Sequence, residues 1–219
     1  MLSNVVSENV TVSLLYFIIL SCSFGNHHHH HTTKKRKTHT HNKLSLLFII
    51  MDIKHRPTND ISASSSTKAL KIGIVYARWN SKITDALLNG CVEELKRLGV
   101  TDISTLSVPG SFELVYAAKS IISEMDCVVC IGCLIKGHTM HFEYISESVS
   151  RGLSSLQLSS NVPIVYGVLN VCSEPQALSR AGLNKDAKDN HNHGTDWGSC
   201  AVEMALLRRY GAGTRIKKV

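Results

Sequence analysis

Short apolar runs alternate with stretches of helical periodicity along most of this chain, and this alternation constrains the fold more than any other feature. The apolar runs cover residues 70–76, 103–108, 127–135 and 163–170. Strands separated by helices form parallel βαβ units, because each helix carries the chain back to the same end of the sheet. Strands that are apolar throughout are typical of a sheet covered on both faces. The pattern therefore predicts an α/β fold, a three-layer α/β/α domain with a four-stranded parallel sheet.

The helices between these strands are predicted from apolar residues spaced three and four positions apart. The first helix is expected to end at Gly99, since glycine commonly terminates helices. The final helix is expected to begin at an N-cap formed by Thr195 and Asp196. In chain order, the predicted helices cover residues 83–98, 112–125, about 140–156, 174–181 and 195–210.

The positive charge of the chain is concentrated before this predicted domain. The formal net charge is +7, and residues 1–50 hold five Lys or Arg residues against one acid. Residues 10–20 resemble the apolar core of a secretory signal but lack a basic flank, and residues 34–37 form a basic run of the type that binds nucleic acids. We expect translation to begin at Met51. We expect three regions: a disordered or artefactual leader over 1–50, a polar flexible tail over 51–68, and a single domain over 69–219.

Charge and cysteine content also restrict the partners and the compartment. The chain after residue 50 is nearly neutral, which argues against a nucleic-acid-binding surface. The apolar stretch at residues 10–20 is too short to span a bilayer as a helix. Seven cysteines, an odd number, do not indicate a disulfide framework. We therefore expect a cytoplasmic protein with no nucleic-acid partner and no membrane partner.

The spacing of Cys127, Cys130 and Cys133 requires a test for a metal site. All three lie on a predicted strand, where side chains three positions apart point to opposite faces. Neighbouring thiolates then cannot converge on one ion. The sequence therefore predicts that these cysteines bind no metal.

In an open parallel sheet, ligands bind beyond the carboxyl ends of the strands. Aromatic, polar and charged residues follow the first three predicted strands and would meet at that edge. The Gly-rich loops that bind nucleotide phosphates are absent from the sequence, so a nucleotide-binding function loses its main support. The candidate site residues are Trp79, Asn80, Ser111, Phe112 and Glu113, followed by Lys136, Gly137, His138, Thr139, Met140 and His141.

The turn over residues 136–141 joins a buried strand to a helix and is a candidate anion site. Backbone N–H groups at a helix start bind anions, and Gly137 permits close approach. Thr139 can cap the helix and donate to a phosphate oxygen, although an ordinary cap would also explain it. The positive end of the helix dipole favours a neutral His141, which could accept and return a proton. A metal site is disfavoured, because Glu143 is turned away from the helical face that the two histidines share.

Each functional assignment has a structural alternative. Trp79 could stack on a flat heterocycle or cover the edge of the core. Glu113 could accept hydrogen bonds from a polyol or complement the helix dipole. Arg180 could clamp a phosphate or be an exposed helix charge, and His141 could be a capping histidine. Residues 191–194 look like a metal-binding pattern, but we expect them to be a surface insertion.

Several of these segments, taken together and in order, resemble the 6,7-dimethyl-8-ribityllumazine synthase family. The likeness extends over about residues 70–209, and the loop at residues 191–198 is similar to the fungal form. The segments are Arg78-Trp79-Asn80, Val108-Pro109-Gly110-Ser111-Phe112-Glu113, Gly137-His138-Thr139-Met140-His141-Phe142-Glu143 and Ser179-Arg180-Ala181-Gly182.

The resemblance implies a flavodoxin-like fold and an enzyme of riboflavin biosynthesis. Such an enzyme condenses 5-amino-6-(D-ribitylamino)uracil with 3,4-dihydroxy-2-butanone 4-phosphate to 6,7-dimethyl-8-ribityllumazine and releases phosphate and water. The resemblance implies small-molecule substrates, no metal and no organic cofactor, and a homopentamer with active sites between subunits. A non-catalytic flavin- or lumazine-binding protein with the same pocket is the alternative function.

The resemblance also implies roles for individual residues. Trp79 would stack on the pyrimidinedione, beside Asn80, and residues 111–113 would hold the ribityl chain and the ring. Residues 137–140 match the phosphate-binding turn, and His141 matches the proton-transfer histidine.

Other positions concern the neighbouring subunit or depart from the family pattern. Arg180 and Tyr166 would reach the site from the neighbouring subunit, to contact the phosphate and to close the pocket. Met140 stands where a hydroxyl residue is often found, so Lys136 and Arg180 would hold more of the phosphate. His138 stands where a small residue is usual, which makes it a second candidate histidine.

Overall fold

A computed structural model describes residues 63–211 of this chain. The predictions for the leader, for most of the tail and for the start at Met51 lie outside these residues. In chain order, the strands are β1 (Lys71–Ala77), β2 (Asp102–Val108), β3 (Cys127–Ile135) and β4 (Ile164–Val171). The helices are α1 (Ser65–Lys68), α2 (Ser81–Arg97), α3 (Leu114–Ile121), α4 (His141–Ser160), α5 (Glu174–Arg180) and α6 (His193–Tyr210).

The four strands form one parallel sheet with the order β2-β1-β3-β4. This arrangement confirms the predicted three-layer α/β/α fold, and each strand agrees with its predicted bounds to within one residue. No helix within residues 63–211 combines the length and the apolarity needed to cross a bilayer.

Each face of the sheet is covered by its own helices. Leu87 of α2 and Ile74 of β1 lie in one buried cluster, which α6 also joins. Leu114 of α3 and Val75 of β1 lie in a second cluster, which α4 joins. Because Ile74 and Val75 are adjacent, the alternation of side chains along a strand sends them into different cores. Full burial of one such side chain stabilises the fold by about 2 kcal/mol, so the two cores hold the three layers together.

The cysteines of β3 follow the same alternation. Cys127 and Cys133 lie in the core beside α2 and α6, whereas Cys130 lies in the opposite core. Burial raises the pKa of the Cys130 thiol to about 12, so this thiol is neutral at physiological pH. The prediction that these three side chains point to opposite faces is confirmed.

The edge strand β2 departs from the prediction that both faces of the sheet are covered. It pairs with β1 alone, and most of its residues are exposed, including Leu106. Serine and threonine occupy three of its seven positions, so it offers less apolar surface for a helix to bury than β1 or β3. The expectation of full coverage is met by β1 and β3 and is wrong for β2.

The second predicted helix is too long at both ends. α3 begins at Leu114 because the preceding residues form a turn, in which the Leu114 N–H donates to the carbonyl of Ser111 at 3.2 Å. The helix ends at Ile121, and a 3-10 turn, Ile122–Glu124, completes the connection to β3.

The predicted start of the last helix is also wrong. α6 begins at His193, and Asn192 is its N-cap, so Thr195 and Asp196 lie in the first turn. The Asn192 Oδ1 accepts from the Gly194 N–H at 2.8 Å, which satisfies one of the free donors at the helix start.

The segment over residues 191–194 is not the expected surface insertion. The Asn192 Nδ2 donates to the carbonyl of Ala86 in α2 at 2.8 Å. Gly194 is buried, and an added Cβ there would lie 2.0 Å from the carbonyl oxygen of Leu87. The segment therefore packs closely against α2, and only glycine fits at position 194.

A buried carboxylate ties α2 to α6. Glu94 is 6% exposed, accepts two hydrogen bonds of 2.7 Å from the guanidinium of Arg97, and accepts another from the hydroxyl of Ser199 on α6. The hydrogen bonds from Arg97 are the main cause that lowers the pKa of Glu94, while burial opposes them. The charged form of Glu94 is therefore the form that stabilises the folded protein.

We expect Glu94→Gln to lower the free energy of unfolding by about 1–3 kcal/mol, because the buried acceptor of the hydrogen bonds from Arg97 and Ser199 loses its charge. The pKa of Glu94 is lower in the folded than in the unfolded protein, so its contribution is complete above the unfolded pKa. That contribution is lost as the pH falls through the folded pKa. Urea denaturation at neutral and acidic pH should show the gap between wild type and variant closing in acid.

The matched control is Glu93→Gln, since Glu93 is the exposed neighbour on the same helix. We expect this control to change the free energy of unfolding little at either pH. An equal loss of stability in the two variants would contradict the role assigned to Glu94.

Candidate functional site

A cavity of about 520 Å³ lies where β1, β2 and β3 end. The last register pairs, Ala77 with Val108 and Tyr76 with Ile131, place these strand ends at one edge of the sheet. The cavity brings together eight of the predicted site residues, which are Trp79, Asn80, Ser111, Phe112, Glu113, Gly137, Thr139 and His141. The predicted meeting of the three strand ends is confirmed.

The turn after β1 presents an aromatic ring at the cavity. The N–H groups of Arg78 and Trp79 donate to the carbonyls of Val108 and Pro109, at 2.8 and 3.1 Å, so the backbone of this turn stays fixed to the end of β2. The Trp79 side chain itself is 71% exposed. An indole with this exposure offers a flat apolar surface on which a heterocycle can stack.

The turn after β2 supplies a hydroxyl, a second aromatic ring and a carboxylate. Ser111 is buried against β3, where an added Cβ at Gly132 would lie 2.6 Å from the Ser111 Oγ. The Glu113 Oε2 accepts from the Gly110 N–H at 3.0 Å, which orients the carboxylate at the cavity wall. Phe112 is 56% exposed. This wall can therefore bind both hydroxyl groups and an apolar ring.

The turn after β3 leaves open space beside backbone amides. An added Cβ at Gly137 would meet no atom of residues 63–211 within 4 Å. Thr139 is not the N-cap residue of α4, because Met140 occupies that position and makes no side-chain capping hydrogen bond. The Thr139 Oγ lies 3.5 Å from the His141 nitrogen, a long contact. The first turn of α4 thus offers N–H groups and a hydroxyl to an anion.

His141 is the first residue of α4 and lines the same cavity as Trp79 and Glu113. Its side chain is exposed, so a ligand in the cavity can reach the imidazole. Trp79, Glu113 and His141 therefore come from the turns that follow β1, β2 and β3.

Three residues of the predicted site lie around the turn without lining the cavity, namely Lys136, His138 and Met140. The Lys136 Nζ lies 2.7 Å from the Glu143 Oε1, and this hydrogen-bonded ion pair raises the pKa of Lys136 and lowers the pKa of Glu143. The second oxygen, Glu143 Oε2, is buried. The ammonium group of Lys136 is therefore held by a carboxylate beside the turn.

Tyr166 and Arg180 lie away from the cavity of their own chain. The Tyr166 hydroxyl accepts from the Ser150 Oγ and the Asn170 Nδ2, both at 2.8 Å, and its ring lines a separate cavity of about 300 Å³ beside α4. Arg180 ends α5, and its Nη1 donates to the carbonyl of Gln176 at 3.4 Å.

Sequence analysis missed part of the cavity wall. Phe142 and Ile145 were not among the predicted site residues, yet both line the cavity. Their spacing of three positions places them on one side of α4, next to His141. The other missed residues are Gly110, Cys133, Leu134 and Ile135. Their position at the carboxyl ends of the strands could have predicted that they line the cavity.

Among residues 63–211, no group of three or more His, Cys, Asp or Glu side chains is arranged to hold a metal ion. The two histidines of the turn and Glu143 do not form such a group, and Glu143 is paired with Lys136. The cavity can therefore be described by its aromatic, hydroxyl, carboxylate and imidazole groups.

Comparison with known proteins gives a consistent result. Residues 69–209 match the family described as 6,7-dimethyl-8-ribityllumazine synthase. A protein of that name from Schizosaccharomyces pombe is 49% identical over 146 residues, which cover 64% of this chain and 89% of the relative. A second from Pyricularia oryzae is 40% identical, with 64% and 89% covered. A third from Trichormus variabilis is 37% identical, with 66% and 77% covered.

Proposed function

The chain belongs to the 6,7-dimethyl-8-ribityllumazine synthase family, and we propose that the cavity at the edge of its sheet is the active site. The enzyme condenses 5-amino-6-(D-ribitylamino)uracil with 3,4-dihydroxy-2-butanone 4-phosphate and releases phosphate and water. One observation carries the assignment of the site: Trp79, Glu113 and His141 surround a single cavity of about 520 Å³. Relatives from fungi and a cyanobacterium are named as synthases, which favours the enzyme over a non-catalytic carrier.

The pyrimidine substrate would lie across the wall formed by the first two turns. Its flat ring would stack on the exposed indole of Trp79, with Phe112 and Phe142 as further apolar surface. Its ribityl hydroxyls would donate to the carboxylate of Glu113, whose orientation is set by the Gly110 N–H. The hydroxyl of Ser111 would supply another partner.

The phosphate substrate would lie at the turn after β3. Its phosphate group would accept hydrogen bonds from backbone N–H groups near Gly137 and from the hydroxyl of Thr139. The positive end of α4 stabilises an anion at this position. Lys136 would contribute its charge from beside the turn, where Glu143 holds it.

The chemistry needs proton transfer between these two substrates. An amine condenses with a ketone, phosphate leaves and a ring closes, and each step adds or removes protons near neutral pH. His141 lines the same cavity as the stacking wall and the turn after β3, so it would accept and return these protons. Holding both substrates in register would lower the barrier by several kcal/mol more.

Replacement of the imidazole tests this assignment directly. Mixing the two substrates with the full chain should produce lumazine fluorescence, and His141→Ala should reduce kcat by about 10²–10⁴-fold, the usual value of a positioned general acid or base. Binding of the pyrimidine substrate should persist, because its ring would stack on Trp79 and not on His141.

His138→Ala is the matched control for His141→Ala, since it removes a histidine of the same turn that does not line the cavity. We expect its kcat to stay within about twofold of wild type, as for a surface substitution. If His138→Ala abolished turnover and His141→Ala did not, the proton-transfer role would pass to His138.

Gly137→Ala tests the phosphate turn. Because the added Cβ meets no atom within 4 Å in the part of the chain that the structure describes, the melting temperature should not change. The KM for the phosphate substrate should rise about tenfold, since the methyl group would separate the phosphate from the backbone amides. The KM for the pyrimidine substrate is the internal control, and an equal rise in both would argue against a phosphate site here.

We propose further that the chain forms a homopentamer whose sites lie between subunits. This proposal rests on the family, and it agrees with the position of Tyr166 and Arg180 away from their own cavity. A neighbour's Arg180 would then approach the phosphate, and a neighbour's Tyr166 would cover the ring.

Complementation between two inactive variants tests the shared site. Co-expression of His141→Ala with Arg180→Ala should restore about a quarter of wild-type activity, because a random ring places one intact His141 next to one intact Arg180 at that frequency. Sedimentation velocity should give the mass of a pentamer. No recovery of activity in mixed rings would contradict a site built by two subunits.

The remaining proposals concern the compartment and the ends of the chain. The six cysteines described by the structure are free thiols, which supports a reducing compartment and the cytoplasm. The family match spans residues 69–209, which supports a catalytic unit that excludes residues 1–50 and the tail over 51–68.

A further inference from the structure

The turn after β1 contains an unusual backbone conformation. Asn80 has φ +62° and ψ +42°, the left-handed region, which costs most residues free energy and which asparagine tolerates better than most. Asn161 is the other non-glycine residue with positive φ among residues 63–211. Asn80 lines the cavity directly after Trp79, so its conformation sets the direction in which the chain leaves the indole.

The side chain of Asn80 is bound to a different strand. Its Nδ2 donates to the carbonyl of Cys133 at 2.9 Å. The register of β1 with β3 ends at Tyr76 and Ile131, two residues before Cys133. The amide of Asn80 thus extends the connection between the two strands beyond their last paired residues.

This hydrogen bond comes at the expense of the usual role of asparagine at a helix start. Asn80 is the N-cap of α2, yet its side chain makes no capping hydrogen bond. Its carbonyl alone serves the helix, by accepting from the N–H groups of Ile83 and Thr84 at 2.9 and 3.1 Å. An N-cap side chain normally stabilises its helix, whereas this side chain instead binds the carbonyl at the end of β3.

The indole next to Asn80 is largely exposed. Trp79 is 71% exposed, and its backbone N–H donates to the carbonyl of Pro109 at 3.1 Å. The orientation of the ring therefore depends on the backbone on either side of it. Pro109 fixes the chain before the indole, and Asn80 fixes the chain after it.

From these contacts we infer that Asn80 is a positioning residue, which holds the Trp79 indole against the cavity through the hydrogen bond from its side-chain amide to the Cys133 carbonyl. Its effect on the pyrimidine substrate is indirect and passes through Trp79. The inference rests on the proposed function for the identity of that substrate, whereas the mobility of the indole can be measured without any substrate.

Two substitutions separate the hydrogen bond from the backbone conformation. Asn80→Gly removes the side-chain amide and preserves the backbone conformation, because glycine adopts positive φ freely. Asn80→Asp keeps the shape and tolerance of this conformation, but its carboxylate cannot donate to a carbonyl. Asn161→Gly is the matched control, because it makes the same change at a left-handed asparagine that ends α4, outside the cavity lining.

The direct measurement is the fluorescence anisotropy of Trp79 in the full chain. Trp197 is the only other tryptophan, so all variants are made in a Trp197→Phe background. We expect Asn80→Gly and Asn80→Asp to lower the anisotropy of Trp79, and Asn161→Gly to leave it unchanged. Circular dichroism checks that each variant is folded.

The kinetic measurement is the KM for each substrate. We expect both Asn80 variants to raise the KM for the pyrimidine substrate about tenfold or more, since a misplaced positioning group costs up to about a hundredfold. The KM for the phosphate substrate should stay within about twofold of wild type. The turn proposed to bind the phosphate follows β3, whereas Asn80 follows β1.

Three outcomes decide the inference. Lower anisotropy and a higher pyrimidine KM in both variants support it. Wild-type behaviour of Asn80→Gly would overturn it in favour of backbone conformation alone, and a higher KM with unchanged anisotropy would show that Asn80 contacts the substrate itself. If the wild-type chain formed no lumazine, the proposed function would fail, while lower anisotropy would still show that Asn80 holds Trp79.

Discussion

The parallel register of β1 with its two neighbours is the constraint on which the rest of the structure depends. It brings the carboxyl ends of β1, β2 and β3 to one edge, and the turns that follow these strands carry the side chains of the proposed active site. A shift of one residue in any strand would exchange its two faces. Such a shift would send Ile74 into the core that Val75 now occupies. The same packing that stabilises the domain therefore fixes the geometry of the site.

The cavity wall combines rigid and exposed elements. Buried contacts fix the backbone, as with Ser111 against Gly132, while the rings of Trp79 and Phe112 remain exposed at its rim. Exposure of an aromatic ring to water is unfavourable, and the free energy falls when a flat ligand covers the ring. The exposed rings are therefore available to the flat substrate that the proposed function assigns to this wall.

Charge in the turn after β3 is balanced within the chain. Lys136 pairs with Glu143, so the positive charge of its ammonium group is compensated. Backbone N–H groups and the dipole of α4 do not depend on such pairing. An anion at this turn would therefore be held chiefly by fixed dipoles, with Lys136 as a contributor and a neighbour's Arg180 as the additional charge that the family pattern implies.

The sequence alone determined the strands, their parallel arrangement and most residues of the cavity. Apolar runs, and the residues that follow them, are local features of the chain. It also identified the family, since Trp79, Glu113 and His141 occur in ordered motifs. Only the tertiary structure decided the start of α6, where Asn192 contacts α2, and the pairing of Lys136 with Glu143. It alone revealed the Asn80–Cys133 hydrogen bond. These contacts join residues whose partners depend on how the elements pack, which no local pattern specifies.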